Sequence, residues 1–258
     1  MSQNKLPKSL IVAGILIYIF LYLPIIILIL YSFNDSRINV SWIGFTLKWY
    51  KILLSDKQLM KAFFNSLVIA AFASVISVIL GTFAGVALHK HKIPILSYLV
   101  MIPVAAPELL IGVSLLLFFM LIHLTLGYVS ITLAHIAFCL SFVTIAVKTR
   151  MHDMDDSVLE AARDLGANSF QTFYLILIPM ILPGIIAGGL MAFTLSIDDF
   201  VITFFTTGID SVTLPIAIYS MLKMGITPEI NAISTMLICI TLILILIARK
   251  LSPQMFKS

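Results

Sequence analysis

Charged residues are scarce in this chain of 258 residues. Only 11% of the residues are Asp, Glu, Lys or Arg, whereas 61% are hydrophobic and the mean hydropathy is +1.13. A soluble globular domain has about 25% charged residues, so this composition excludes an ordinary soluble enzyme and is typical of a protein that lies in a lipid bilayer. The net charge of +4 is small, and no basic block indicates a nucleic-acid partner.

The sequence also lacks a phosphate-binding loop of the form Gly-x-x-x-x-Gly-Lys-Ser/Thr, whose backbone and lysine hold the phosphates of a nucleotide. We therefore expect no ATP site, no cofactor and no enzymatic activity on this chain. The two cysteines, Cys139 and Cys239, each lie in an apolar run and are expected to be small buried residues. The histidines, among them His135, show no metal-ligand spacing and are interpreted as ordinary polar or interfacial residues, so no metal site is expected.

Six apolar stretches are long enough to cross a bilayer, which takes about 20 mainly apolar residues in a helix. The first stretch is too long for the core of a signal peptide and has no small-residue cleavage site, so it is predicted to remain as a helix. Two stretches contain Gly81-x-x-x-Gly85 and Gly184-x-x-x-Gly188, a spacing that lets helix backbones approach closely. We predict an all-α membrane protein with one domain, 1–258, and six transmembrane helices at 9–31, 62–88, 95–122, 127–147, 176–207 and 230–248.

Lysine and arginine are distributed unevenly between the two sides of the predicted helices. With an even number of helices both termini lie on one side, and most of these cations fall there, which predicts that both termini are cytoplasmic. The first outer loop, 32–61, is an exception, because it combines several cations with Trp42, Trp49 and Tyr50. An amphipathic helix around Phe45–Leu54, at the level of the lipid headgroups, is predicted here, although a belt of interfacial aromatic residues alone explains the same pattern.

The longest inner loop has the start and stop signals of short helices. Ser157 and Glu160 have the spacing of a capping box, and aspartates precede them, where the positive end of a helix attracts negative charge. Gly166 can provide a left-handed stop, and Asn168 or Ser169 can cap a second short helix. The loop is therefore predicted to form a helix, a turn and another helix on the cytoplasmic side.

This loop, 148–175, together with the start of the fifth span resembles the EAA loop of ABC importer permeases; an ordinary capped loop helix is the alternative. The match comprises Glu160-Ala161-Ala162, Gly166, Ile176 and Ile178-Pro179, with Ile178 where that family usually has Leu. In that family the loop forms a coupling helix that sits in a groove of a separate ATPase subunit and transmits its closure. The resemblance implies a type I importer permease fold of the MetI-like kind, with ATP and Mg²⁺ on the partner ATPase. It assigns ATPase coupling to Glu160, Ala161, Ala162, Gly166, Ile176 and Pro179.

Three carboxylates fall inside the predicted spans, at Glu108, Asp198 and Asp199. A charge at a helix centre costs about 2.5–3.5 kcal/mol on insertion scales, so these groups are expected to face a cavity or a partner. No lysine or arginine lies in the core of a span, which favours a cationic, hydrogen-bond-donating substrate; structural or protonated acids are the alternative. On a helix one aspartate is expected to face the pathway and the other a neighbouring helix, with Ser196 and Asp199 on one face.

Longer segments are similar to the PotC-type permeases of spermidine/putrescine importers, over nearly the whole chain. They are Phe45–Tyr50, Leu195–Phe200, Leu214–Met221 and Thr227–Ala232. The resemblance implies a protein of the bacterial cytoplasmic (inner) membrane that works with a second permease, an ATPase dimer and an extracytoplasmic polyamine-binding protein. Glu108 departs from the Asp of relatives. The implied substrate pathway comprises Glu108, Ser196, Asp198, Asp199, Trp42, Trp49 and Tyr50.

Other functions stay open at this point. An ABC importer for another small cationic or polar solute has the same features, and the sequence does not rank spermidine against putrescine. A proton-coupled secondary transporter would use the same acids but would leave the loop at Glu160 unexplained. A membrane scaffold that transports nothing would have no use for polar groups at the membrane midplane.

Overall fold

The computed structural model describes residues 8–36, 41–91, 93–155, 157–224 and 228–251. These residues are helical apart from short connections and one isolated β-bridge between Asn34 and Phe45, which confirms the all-α class. A π-helical turn, Thr172–Leu177, joins α8 to α9. The helices in chain order are α1 (Lys8–Tyr31), α2 (Lys48–Ser55), α3 (Lys57–Lys90), α4 (Pro94–Ala105), α5 (Glu108–Leu121), α6 (Tyr128–His152), α7 (Ser157–Asp164), α8 (Ser169–Gln171), α9 (Ile178–Ile197), α10 (Val201–Thr206), α11 (Leu214–Met224) and α12 (Pro228–Leu251).

Among the described residues, four helical stretches are long and apolar enough to cross a bilayer. A fifth span forms if α4 and α5 are counted as one helix with a bend of 109°. Helix α12 lies where the last predicted span was placed, but the total of six spans stays a prediction, as does the single domain. The four stretches are Leu10–Tyr31, Lys57–Lys90, Tyr128–His152 and Ser169–Ile197.

The third predicted span is broken at a proline. Helix α4 ends at Ala105, and Ala106 and Pro107 have extended backbone angles before α5 begins at Glu108. Proline has no amide hydrogen to donate, and its ring disfavours a helical conformation in the residue before it. The break therefore places Glu108 in the first turn of a new helix.

The fifth predicted span, 176–207, is not one continuous helix, and this corrects the sequence interpretation. Helix α9 ends at Ile197, and the segment Asp198–Phe200 separates it from α10. We call this segment the acidic break. Its cause is chemical, because an aspartate side chain can bond backbone N–H groups in place of a helical carbonyl, and Asp199 does so.

The chain divides into two compact units. The first comprises Met1–Met60 and Ile218–Leu242, and the second comprises Lys61–Ala217 and Ile243–Ser258. The second contains the acidic break and the segment that resembles the EAA loop, and the first contains the aromatic outer loop.

Helix α6 is the centre of the second unit, and glycines allow α3 and α9 to pack directly on its backbone. A Cβ atom added to Gly81 would lie 2.7 Å from the Cβ of Val143, and one added to Gly188 would lie 3.0 Å from the Cα of Val143. Gly85 packs in the same way on Val147. The two Gly-x-x-x-Gly patterns therefore serve close packing inside this chain, as their spacing predicts.

In the first unit, side chains of the outer loop are tied to the end of α1. The indole N–H of Trp49 donates to the carbonyl of Asn34 at 2.7 Å, and the hydroxyl groups of Tyr50 and Ser32 are 2.7 Å apart. Helix α2 confirms the short helix predicted in this loop, with a start three residues later than expected. Its position at the lipid headgroups stays a prediction.

The two cysteines differ in exposure. Cys139 is buried in α6, as expected, but Cys239 is exposed on α12. It lines an apolar pocket of the first unit with Tyr50 and Met236. The expectation was wrong for Cys239 because an apolar run shows that a helix lies in an apolar environment but not which of its faces the rest of the protein covers.

Candidate functional site

The segment predicted to couple to an ATPase begins with a capped short helix. Helix α7 starts at Ser157, as predicted, but Ser157 is itself the first helical residue rather than the cap. Asp155 accepts a hydrogen bond from the N–H of Ser157 at 3.0 Å, and this bond holds the pKa of the exposed Asp155 carboxyl below its ordinary value. The carboxylate therefore stays ionised at neutral pH, and the bond is lost only when the pH falls through that lowered pKa. Asp156 lies outside the described residues.

Gly166 ends α7 in the left-handed conformation, with φ of 87°. The N–H of Gly166 donates to the carbonyl of Arg163, and the N–H of Ala167 donates to that of Ala162, the two bonds of a Schellman motif. The predicted stop is therefore present. A Cβ at Gly166 would meet no atom within 4 Å, so the glycine is required by its backbone angle and not by lack of space.

Asn168 caps the helical turn that follows. Its side chain accepts from the N–H of Gln171 at 2.9 Å, and the Gln171 side chain accepts from the N–H of Asn168 at 2.9 Å. This reciprocal pair is a capping box, and it decides between the two predicted caps in favour of Asn168. From here the chain stays helical through the π-helical turn and past Pro179 to the acidic break.

One face of α7 is buried and the opposite face is open. Leu159 and Ala162 are packed into the core of the second unit, where Leu159 joins a cluster with Met151 at the end of α6. Glu160 and Ala161 are exposed. Of the remaining predicted coupling residues, Gly166 and Pro179 are exposed and Ile176 is half-buried. The segment therefore presents a fixed, partly apolar surface on which another protein could dock.

At the acidic break, Asp199 points into the protein and meets a histidine. Its side chain is only 5% exposed, and one carboxylate oxygen lies 3.3 Å from Nε2 of His135, whose side chain is 2% exposed. The same oxygen accepts from the N–H and from the hydroxyl of Thr203, each at 2.7 Å. Nδ1 of His135 is 2.6 Å from the hydroxyl of Ser196. Ser196 and Asp199 thus share a side of the break, as predicted, and α6 supplies the partner.

Asp198 has the opposite environment. Asp198 is exposed, as is Glu108 at the start of α5. Helices α5 and α10 pack side by side, with Gly112 against Phe205, which places Glu108 and Asp198 near the starts of two neighbouring helices. Among the described residues no lysine or arginine forms an ion pair with either acid.

The three aromatic residues of the predicted pathway have different surroundings. Trp49 is buried and Tyr50 is half-buried, and the hydrogen bonds described above hold both in the first unit. Trp42 is 52% exposed. The structure thus gives Trp49 and Tyr50 a role in shaping the outer loop and leaves the Trp42 ring open to contacts with other molecules.

His135 is the residue of this site that the sequence interpretation missed. The sequence alone indicates an ordinary polar or interfacial residue, but His135 lies within α6 and its ring nitrogens contact Ser196 and Thr203, on either side of the acidic break. A histidine near the middle of an apolar span was the available signal, since polar groups there face partners inside the protein. In the part of the chain that the structure describes, no cluster of three or more His, Cys, Asp or Glu is placed to hold a metal ion.

Comparison with known proteins gives a consistent result. Residues 77–255 match the family model described as "Binding-protein-dependent transport system inner membrane component". The spermidine/putrescine transport system permease protein PotC of Escherichia coli K12 is 39% identical over 244 residues, covering 93% of this chain and 92% of the relative. The putrescine transport system permease protein PotI of the same strain is 39% identical over 231 residues, covering 86% of this chain and 82% of the relative.

Solved structures show the same fold at low sequence identity. A subunit of a bacterial ABC transporter involved in the import of the acidic polysaccharide alginate superposes with a TM-score of 0.71 at 18% identity, covering 100% of this chain and 99% of that one. A chain of the MetNI methionine ABC transporter gives a TM-score of 0.64 at 14% identity, covering 82% of this chain and all of its own length. From these matches, the chain belongs to the inner membrane components of binding-protein-dependent transport systems and is the permease subunit of an ABC importer, in which a separate subunit hydrolyses ATP.

Proposed function

We propose that this chain forms half of the translocation pathway of an ATP-driven importer of polyamines, with spermidine or putrescine as the substrate. The observation that carries the proposal is the pair of exposed carboxylates at Asp198 and Glu108, near the starts of the neighbouring helices α10 and α5, with no cationic partner among the described residues. A polyamine carries two or more ammonium groups, and each can donate a strong charge-assisted hydrogen bond to a carboxylate. Binding one would also compensate the negative charges of the two acids.

The names of the curated relatives support the same substrate class. The PotC permeases of Escherichia coli and Haemophilus influenzae are named for spermidine/putrescine transport, and PotI is named for putrescine transport. A proton-coupled secondary transporter is set aside by the family membership. An importer for a different small cation stays possible and is an outcome of the uptake experiment below.

We assign the pathway residues different roles. Asp198 and Glu108 contact the substrate. Ser196 and Asp199 instead contact His135 of α6 and so support the two acids. Trp42 is the aromatic residue of the outer loop whose ring is open to a ligand or partner. Trp49 and Tyr50 act on the pathway only through the shape of that loop.

The partners follow from the same proposal. A second, related permease would complete the pathway, an ATPase dimer carrying ATP and Mg²⁺ would bind the exposed face of the Glu160–Pro179 segment, and an extracytoplasmic protein would deliver the polyamine. Both termini and the coupling segment would then lie on the cytoplasmic side of the bacterial inner membrane. The exposed Glu160 and Ala161, above a buried Leu159 and Ala162, support this docking surface.

The substitution Asp198→Asn tests the site. It keeps the size of the side chain and removes the charge, so we expect uptake of radiolabelled putrescine and spermidine by the assembled transporter to fall about tenfold or more at low substrate concentration. Assembly with the ATPase should be unchanged, since the break is remote from the coupling segment in the chain. Asp210→Asn, the same change at an exposed residue after α10, is the matched control and should transport normally.

Two results would contradict the proposal. Normal polyamine uptake by Asp198→Asn would remove this carboxylate from the substrate site. Uptake of an amino acid or another cation, but of neither polyamine, by the unaltered complex would show that the substrate class is wrong.

A further inference from the structure

His135 connects both sides of the acidic break to α6. Nδ1 faces Ser196 in the last turn of α9 at 2.6 Å, and Nε2 faces Thr203 in α10 at 2.9 Å. The third contact is to Asp199 in the break itself, at 3.3 Å. One imidazole ring thus spans the interruption between two helices, while the residue that carries it lies in a third helix.

The hydrogen bonds of this cluster define where the protons lie. The hydroxyl of Thr203 donates to Asp199, so its oxygen is left to accept, and Nε2 of His135 must carry a hydrogen. With that hydrogen on Nε2, a neutral ring can accept from the hydroxyl of Ser196 through Nδ1. Every polar group of the cluster then has a partner, as buried groups require.

Asp199 is fully engaged by these contacts. One of its oxygens accepts from two groups of Thr203 and lies beside His135, and the other accepts from the N–H of Ile202 at 3.4 Å. Little capacity remains for a substrate ammonium group, and the side chain is nearly inaccessible. Asp198, by contrast, is exposed.

We infer that His135 is a positioning residue of the transport site, which holds Asp199 against α6 and thereby directs Asp198 towards the substrate. Neighbouring side chains cannot point the same way, so fixing Asp199 inward fixes the backbone of the break and turns Asp198 outward. His135 itself does not contact the substrate. This inference rests on the proposed function for its transport measurements, but the arrangement of the break can be measured without any substrate.

Three substitutions separate positioning from the filling of space. His135→Gln places an amide near the position of Nε2 and keeps a donor for Thr203 and Asp199, whereas His135→Asn reaches only the position of Nδ1, near Ser196. His135→Leu fills much of the volume with no polar atom. Thr144→Val is the matched control, because Thr144 is another buried polar residue of α6 whose hydroxyl bonds only the carbonyl of Leu140 on its own helix.

The first measurement is polyamine uptake by the complete complex of permeases, ATPase and binding protein. We expect the KM for putrescine to rise about tenfold or more in His135→Leu and His135→Asn, with a maximal rate within about twofold of the wild type. His135→Gln should recover most of the affinity, and Thr144→Val should not differ from the wild type. Equal KM values in the Gln, Asn and Leu variants, whether raised or normal, would overturn the inference.

The second measurement is hydrogen exchange of the same complex in lipid nanodiscs without substrate. In His135→Leu, amides of the segment 199–206 should exchange at least about tenfold faster, because Asp199 is no longer held where it accepts from Ile202 and Thr203. The coupling segment 157–171 should be unchanged. Unaltered exchange at 199–206 in His135→Leu would overturn the inference. Absence of polyamine uptake by the wild type would instead refute the proposed substrate, and this second measurement would then decide the role of His135.

Discussion

Asp198 and Asp199 are adjacent in the chain but have opposite surroundings. Asp199 is held by Thr203 and His135 in the interior of the second unit. Asp198 is exposed. Their substitution should therefore have different consequences, because loss of Asp198 removes a ligand and loss of Asp199 removes acceptors that the backbone of α10 uses.

The substitution Gly166→Ala tests the importance of one backbone angle. The φ of 87° at Gly166 costs a residue with a Cβ about 1–2 kcal/mol, so Gly166→Ala should disturb the end of α7. We expect ATP hydrolysis by the reconstituted complex to be uncoupled from uptake, with a lower maximal uptake rate and an unchanged KM for the polyamine. Both rates can be measured in proteoliposomes that contain the binding protein.

Gly166→Asn is the matched control for this prediction. Asparagine tolerates the left-handed conformation better than alanine, and the space around Gly166 is open, so coupling should be closer to that of the wild type. A change in substrate preference in either variant would contradict the separation between the coupling segment and the transport site.

Single residues of these sites were predictable to different degrees. Gly166 and Asn168 could be placed from the sequence because each performs a local task, within a few residues of the chain. His135 could not be assigned, because its partners Ser196 and Thr203 are more than 60 positions away. Its role depends on how α6 packs against the break, and spacing along one helix does not contain that information.

The contacts of α6 with α3 and α9 concern the packing of whole helices. Gly81, Gly85, Gly184 and Gly188 remove side chains from the contact, so that Val143 and its neighbours on α6 lie against backbone. The gain is dispersion energy from closely packed atoms, which replaces the hydrophobic drive that is absent between helices in lipid. A single added methyl group at this contact should therefore destabilise the fold.

The substitution Gly81→Ala tests this packing. The new Cβ would lie 2.7 Å from the branched Cβ of Val143, which cannot move aside without a shift of the helices, and such overpacking costs about 1–3 kcal/mol. We expect a thermal midpoint several degrees lower for the purified protein in detergent. Gly14→Ala in α1, where no atom lies within 4 Å of the added Cβ, is the control and should be neutral or slightly stabilising. Equal midpoints for Gly81→Ala and the wild type would contradict the importance of this contact.

Most of the long helices were predictable from the sequence, but the acidic break was not. Apolar length located α1, α3 and α6. The acidic break was missed because apolar residues on both sides give the stretch 176–207 the hydropathy of a span, and hydropathy does not report where a helix is interrupted. What breaks the helix is a carboxylate that bonds backbone amides, stabilised by a histidine on another helix.

At the scale of the whole molecule, the orientation in the membrane is a prediction that single cysteines can test. Ile209 is 97% exposed, in a loop that is hydrogen-bonded to Tyr128 at the start of α6. Leu165 is 89% exposed and follows α7, which packs on Met151 at the other end of α6. In a Cys239→Ser background, Ile209→Cys should react with a membrane-impermeant maleimide in intact spheroplasts. Leu165→Cys should react only after permeabilisation.

The background protein without an added cysteine provides the control, since Cys139 is fully buried. Reaction of Leu165→Cys alone in intact spheroplasts would reverse the orientation that the distribution of lysine and arginine predicts, and reaction of both positions would contradict it. The same measurement decides on which side the coupling segment meets its ATPase.

The close packing of glycine backbones also determines how this molecule can move. The glycines bring no side chain that could change rotamer, and the β-branched Val143 and Val147 that they meet on α6 are stiff, so α3, α6 and α9 should tilt together as a rigid body. Helix α6 has 25 residues and is about 37 Å long. A tilt of about 5° at the coupling segment therefore displaces the opposite end of α6 by about 3 Å, a distance comparable to the length of a hydrogen bond.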